Sequence, residues 1–238
     1  MIKLGVNIDH IATLRNARGE NHPNLIDLAK MVVKSGADYI TVHLREDRRH
    51  IKDKDLVKLC KTKFKVNLEI ASNTKMLSIA LKNKPNYVCL VPEKRQEITT
   101  EGGLNLSKNI YLINKIVNKL NKANIRTSLF LDAKIKNIYL AQKIGAKCIE
   151  IHTGKLSRLV KKNKNYKKQL LNIKNFTLLA LKKKIKIHAG HGLDFKTTLI
   201  LKKNIKGIEE FNIGHFIIGE SIKLGIVRII KRFKNLLK

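Results

Sequence analysis

Eight short runs of β-forming residues recur along the chain at similar spacing, and this recurrence limits the fold more than any other feature. The runs are LGVNID (4–9), YITVHL (39–44), KVNLEI (65–70), YVCLVP (87–92), RTSLFLD (126–132), CIEIHT (148–153), IKIHAG (185–190) and EFNIGH (210–215). Between them lie segments with apolar residues at helical spacing. LIDLAKMVVKSG (25–36) ends in Gly36, a C-cap. NTKMLSIALKNK (73–84) is opened by Asn73, a cap, and stopped by Pro85, and LSKNIYLINKIVNKLNKANI (106–125) follows. YLAQKIGAKC (139–148) repeats the helix, glycine, strand rhythm of MVVKSGADYI (31–40). Eight strand–helix units in 238 residues is the arithmetic of an α/β fold of the (β/α)8 TIM-barrel type. The rival doubly wound sheet usually carries a GxGxxG turn after a strand, and the sequence has none. No linker divides the chain, so the expectation is a single barrel domain over residues 1–238.

Composition narrows the class. No apolar run approaches the roughly 20 residues of a membrane span, and MIKLGVNIDH, with no long apolar stretch before a small-residue cleavage site, is not expected to be a secretory signal. Cys60, Cys89 and Cys148 are odd in number and never form a CxxC pair, which suits a reducing cytoplasm better than a disulfide framework or zinc site. The net charge of +32 invites a nucleic-acid reading. However, Arg supplies only ten of the 50 basic residues, and the lysines keep company with Asn and Ile, as in KKNKNYKKQLLNIKN (161–175). That is a general surface bias; a nucleic-acid face is more local and interleaved with aromatics. The lysine-rich stretch reads as a solvated surface element.

In such a barrel, chemistry collects at the C-terminal ends of the strands. Run one ends in Asn7, Asp9 and His10. Asn7 and Asp9 share strand parity, which points both inward. Run two ends in His43 and Arg45, run three carries Glu69, run five ends in Asp132, and run six carries Glu150 and His152. Run seven carries His188 and is followed by His191 and Gly192, and run eight ends in Gly214 and His215. Six of the eight histidines thus fall at strand ends; His22 and His50 lie in loops. Six buried histidines would each need a separate partner, whereas histidines and carboxylates sharing one concave site suit general acid–base chemistry. AGHGL (189–193) and NIGH (212–215) place glycines where backbone N–H groups approach an anion in this fold. HLREDRRH (43–50) supplies Arg45, Arg48, Arg49 and His50 on the other side. Two anion sites in one mouth suggest two phosphorylated substrates. PEKRQEITTEGG (92–103) has the length and composition of a lid.

NIDHIATLRNARG (7–19), ITVHLREDRRHI (40–51), NLE (67–69), VPEKRQEITTEGGL (91–104), IEIHTG (149–154), AGHGL (189–193) and NIGHFIIG (212–219) closely resemble the pyridoxine 5'-phosphate synthases. The resemblance touches every run but the fifth. It implies a barrel with a few extra helices, a homo-octamer, and condensation of 3-amino-2-oxopropyl phosphate with 1-deoxy-D-xylulose 5-phosphate, without metal or organic cofactor. It also implies acid–base roles for His43, Glu69 and His191, with Glu150 stabilising charge. Asn7, Arg18, Gly192, Gly214 and His215 would hold the aminoketone phosphate. Asp9, His10, Arg45, His50 and Thr99 would hold the deoxyxylulose phosphate. An imine between two substrates needs no enzyme lysine, and none ends a run. Two departures stand out: His188, where the family more often has Asn, and Glu220, where Arg is common. His188 is expected to share the interior with His191, and Glu220 to serve as a helix N-terminal charge. A metal-dependent barrel aldolase or hydrolase is the enzymatic rival, and a basic nucleic-acid-binding protein the non-enzymatic one.

Overall fold

The computed structural model describes residues 1–93 and 102–238. Eight strands pair in sequence order, all parallel, and the last closes on the first: β1 (Lys3–Asn7), β2 (Tyr39–His43), β3 (Val66–Ala71), β4 (Tyr87–Val91), β5 (Arg126–Leu131), β6 (Cys148–His152), β7 (Lys186–Gly190) and β8 (Ile208–Ile213). Two helices follow β1, α1 (Asp9–Arg18) and α2 (Leu25–Lys34). The next four strands are each followed by one: α3 (Asp53–Cys60), α4 (Thr74–Asn83), α5 (Ile110–Lys122) and α6 (Ile135–Ile144). α7 (Gly154–Lys161) and α8 (Lys167–Lys182) follow β6, α9 (Phe195–Asn204) follows β7, and α10 (His215–Leu224) and α11 (Ile226–Leu237) end the chain. The fold is a (β/α)8 barrel with helices beyond the basic eight. No described helix is long and apolar enough to cross a membrane, and all three cysteines are free.

Strand periodicity divides the residues. Leu4, Val6, Ile40, Val42, Leu68, Ile70, Val88, Leu90, Leu129, Leu131, Ile149 and Ile151 pack in the apolar layer with helix residues such as Ile138, Phe176, Ile229 and Phe233. The alternate positions face into the barrel, where Cys89, Val91 and Phe130 form a small separate apolar cluster. The helix ends follow local chemistry. The Asn73 side chain caps α4 by accepting the Met76 N–H, as its type predicts. α2 closes on Ser35, one residue before Gly36, whose φ of +112° takes the chain out of the helix.

Several elements differ from expectation. β1 stops at Asn7 and Asp9 opens α1, so strand parity does not apply to Asp9. β8 lies two residues earlier than the apolar pattern suggests, leaving Gly214 as the N-cap and His215 as the first residue of α10. Glu220 sits in the middle of α10 and is no N-terminal charge. The lysine-rich stretch 161–175 is largely exposed, but much of it is helical, in the end of α7 and the first half of α8.

The barrel floor is ionic. Glu210 of β8 is fully buried and accepts two hydrogen bonds from Arg126, at 2.5 and 2.7 Å, and one from the Tyr39 hydroxyl at 2.9 Å. Lys3 approaches within 3.3 Å, and the Arg126 guanidinium lies 3.7 Å above the Tyr87 ring. His188 belongs here: its Nε2 stands 3.6 Å from Glu210, and burial pushes its imidazole down to about 4. Burial pushes the Glu210 carboxyl up, but the Arg126 bonds, the His188 and Arg126 charges and the Tyr39 bond hold it at about 2. Because the folded value lies below the ordinary 4.5, this stabilisation is present above that pH and is lost as pH falls toward 2. Arg126→Ala strands a buried carboxylate and is expected to cost about 3–5 kcal/mol at neutral pH. Urea unfolding at several pH values checks this. The deficit should shrink below about pH 4.5, and a pH-independent deficit would show that the ion pair is not its source.

Candidate active site

At the other end of the barrel, the polar residues of the first strand meet the second. Asn7, the last residue of β1, donates its side-chain amide to Asp9 at 2.9 Å and accepts the Asp9 N–H at 2.9 Å. This turns the Asp9 carboxylate back over the mouth, where it accepts the backbone N–H of His43 at 2.9 Å. Burial raises the Asp9 carboxyl above its ordinary value, against the His43 charge and these hydrogen bonds. The chain passes close by at Gly214, where a Cβ would lie 2.8 Å from that of Asn7.

Below the mouth, side chains of β2, β3, β6 and β8 form a polar ladder. Asn67 donates to Thr41 (3.3 Å), Thr41 to Asn212 (3.0 Å), and Asn212 to Glu150 (2.5 Å). Glu150 occupies the space that a Cβ on Gly190 would fill. Glu69 stands beside His43 in the β2–β3 register. Burial drives the Glu69 carboxyl well up, and the Glu150 and Asp9 charges add to this. Burial also drives Glu150 up, opposed by the Asn212 bond. Both shifts therefore favour the protonated form.

His191 closes the third side. Its backbone is left-handed, with φ +76°, an uncommon state for a residue with a side chain. The Thr153 hydroxyl, 2.7 Å from the carbonyl oxygens of both Gly190 and His191, holds the turn. Behind it, His152 packs edge-on with its centroid 5.0 Å from that of His191, while its Nδ1 is 3.1 Å from Asp132. Burial, then the charges of His152, Arg158 and Lys161, push the His191 imidazole down to about 4, so the resting ring is neutral.

Two cation-rich ends flank this centre. One is built by Gly192 (φ +75°), Gly214 and His215 at the start of α10, and Lys161, whose ammonium donates to the Gly192 carbonyl at 2.8 Å. The other holds Arg45, which is 3% exposed, and His50, whose Nδ1 lies 2.7 Å from the Thr13 hydroxyl. His10 stands between them, its ring centroid 5.0 Å from that of His215 and 6.5 Å from that of His50. Burial and these two neighbours lower the His10 imidazole, against Asp9. Arg48 and Arg49 are engaged elsewhere, with Asp53 and Asp47.

These groups surround one cavity of about 350 Å³. It is lined by Asn7, Asp9, His10, His43, Arg45, His50, Glu69, Glu150, His191, Gly192, Gly214 and His215. Arg18 is exposed at the end of α1 and does not line it. Thr99 and most of the expected lid lie outside the described residues. His188, on the floor, is not among the groups that perturb His191; His152 is. Lys161, Phe130 and Asn212 also line the cavity. Lys161 arrives from α7, so inspection of strand ends does not find it. Asn212 and Phe130 lie on strands with inward parity, which is the signal that identifies them. Among the described residues, no three His, Cys, Asp or Glu side chains cluster as a metal site would require.

Comparison with known proteins finds relatives along nearly the whole chain. Residues 4–238 match the family described as pyridoxal phosphate biosynthesis protein PdxJ. The chain is 57% identical over 237 residues to the pyridoxine 5'-phosphate synthase of Pelagibacter ubique (strain HTCC1062), covering 99% of each. It is 46% identical to that of Zymomonas mobilis subsp. mobilis, covering 99% of this chain and 91% of the relative. Among solved structures, the tryptophan synthase alpha subunit of Legionella pneumophila superposes with a TM-score of 0.65 at 12% identity, over 99% of this chain and 92% of that one, a likeness of fold alone. With the family matched along almost its whole length, the chain belongs to the pyridoxine 5'-phosphate synthases, enzymes of vitamin B6 synthesis.

Proposed function

We propose that the chain joins 3-amino-2-oxopropyl phosphate to 1-deoxy-D-xylulose 5-phosphate, releasing pyridoxine 5'-phosphate, inorganic phosphate and water. One observation carries this reading. A single cavity has cationic groups at two ends and protonatable carboxyls and histidines between them. The aminoketone phosphate takes the end formed by Asn7, Gly192, Gly214 and His215. The deoxyxylulose phosphate takes Asp9, His10, Arg45 and His50. Arg18 and Thr99 join these sets by resemblance alone. A homo-octamer without metal or organic cofactor belongs to the same proposal, and light scattering measures the assembly.

The resting protonation states suit the first step. The substrate amine attacks the sugar ketone, and the carbinolamine must lose water to become an imine. A carboxyl whose protonated form burial favours, as at Glu69, supplies that proton. Enolisation then needs a base, and His191 is neutral at rest. Once protonated, it lies beside the aminoketone phosphate end, where a bound dianion stabilises the imidazolium. It can then return the proton to the departing phosphate. His43 serves the remaining transfers, water attack and ring closure. Glu150, fixed by Asn212, stabilises the cationic intermediates. Every step moves a proton, which accounts for so many titratable groups in one space.

Incubation with both phosphates and detection of pyridoxine 5'-phosphate by absorbance and mass tests the reading directly; no product sinks it. His43→Ala and Glu69→Gln are expected to lower kcat by about 10²–10⁴-fold with unchanged circular dichroism. Near-normal turnover in either variant would remove that residue from the acid–base set. Arg45→Met should raise KM for the deoxyxylulose phosphate by about tenfold or more. Gly192→Ala should act chiefly on KM for the aminoketone phosphate, because a side chain at φ +75° distorts that turn. The opposite pairing would exchange the two ends.

A further inference from the structure

The chain leaves β4 at Val91 and reaches Glu93, whose side chain is 4% exposed and folds back over the end of β2. Its Oε1 accepts the backbone N–H of Glu46 at 2.7 Å and lies 4.0 Å from the Arg45 Nε. Its Oε2 stops 3.5 Å from Nε2 of His43. Among the described residues, neither of these last two atoms makes a hydrogen bond, although both are buried. A buried carboxylate oxygen and a buried ring nitrogen, each without a partner except the other, are a pair that a proton on Nε2 satisfies. Burial pushes the Glu93 carboxyl up, but the His43 contact, the Glu46 N–H and the His43 and Arg45 charges outweigh it and hold the carboxyl below its ordinary value.

We propose that Glu93 is a positioning residue for His43: it fixes the ring over the cavity and stabilises its protonated form, making a carboxylate–histidine pair in which His43 alone touches substrate. The proposal rests on the reading of His43 as an acid–base group. Several other groups face His43. Asp9, from α1, accepts its backbone N–H, and Glu69 adjoins it on β3. His50 and Arg45, from the β2–α3 connection, are the basic groups nearby. Glu93 is the group whose carboxylate oxygen faces the ring nitrogen. The pairing of two groups in which one reacts and the other orients it is the logic of activated histidines in general.

Glu93→Gln keeps the shape and an acceptor for the Glu46 N–H but removes the charge. The His43 ring signals, assigned with His43→Gln, are followed by NMR against pH without substrates. They are expected to titrate about one pH unit lower in Glu93→Gln than in the unmodified protein. The acidic limb of kcat/KM should move in the same direction, and kcat should fall about tenfold or more with both KM values within about twofold. Glu93→Asp, which keeps the charge, should hold the ring titration near that of the unmodified protein. An unmoved titration and limb in Glu93→Gln, or an equal shift in Glu93→Asp, would overturn the pairing. Absence of product from the unmodified protein would instead overturn the proposed reaction, while the NMR titration still decides the pair.

Discussion

Eight parallel strands closed on themselves send every second side chain into an interior that bulk water does not fill. Any polar group placed there must find a partner or shift its charge state. This chain places many such groups there. At the floor the solution is pairing: Arg126, Tyr39 and Lys3 converge on Glu210, which stays ionised. At mid-height it is a relay of neutral amides and a hydroxyl from Asn67 to Asn212. At the mouth it is a shift toward the neutral forms, with Glu69 and Glu150 displaced upward and His191 downward. The same constraint thus yields a rigid floor and a reactive mouth. The difference lies in whether a fixed counter-charge is present.

This division makes the apolar layer indifferent to function. The outward-facing Ile, Leu and Val of the strands pack under the helices, and of that set Ile213, at the end of β8, is the one described residue that also lines the cavity. Where backbone must pass close to a functional group, glycine replaces the inward side chain. Gly190 yields to the Glu150 carboxylate and Gly214 to Asn7. Thr153 then pins the left-handed turn at His191, its hydroxyl lying between the Gly190 and His191 carbonyl oxygens and its backbone N–H donating to that of Gly190, so that the strain there is held rather than left to relax.

The strands and the rim were legible in the sequence because both depend on period-two alternation. His43, Glu69 and Glu150 could be placed from their runs alone. Features that depend on chain reversal were not legible. Asp9 breaks parity because the chain turns into α1 at Ile8, and only the Asn7 side chain shows why the carboxylate still faces the mouth. His188 has the right parity but the wrong height: it lies opposite Glu210 in the β7–β8 register, below the reactive layer. Lys161 and Glu93 reach the site from α7 and from beyond β4, and their contacts are with residues 31 and 50 positions away in sequence. Linear spacing carries no record of such contacts.

The large positive charge takes on a more specific meaning once the acids are located. With 18 acidic residues against 50 basic ones, the cations far outnumber the acids available to pair with them. The acids go preferentially to arginine in the described ion pairs: Arg15 with Asp55, Arg48 with Asp53, Arg49 with Asp47 and Arg126 with Glu210. A planar guanidinium can bind both carboxylate oxygens at once, as those of Arg15, Arg48 and Arg126 do, so these three pairs fix geometry as well as charge. Many of the lysines are left to solvent, where they add a diffuse positive field rather than a shaped surface. Such a field draws any phosphorylated solute toward the protein but does not select among them. Unlike this field, the groups that line the cavity have fixed geometry: the buried Arg45, the turn at Gly192 and the start of α10. The diffuse field and the shaped groups of the cavity are therefore separate, and the surface can accumulate lysine without altering the site.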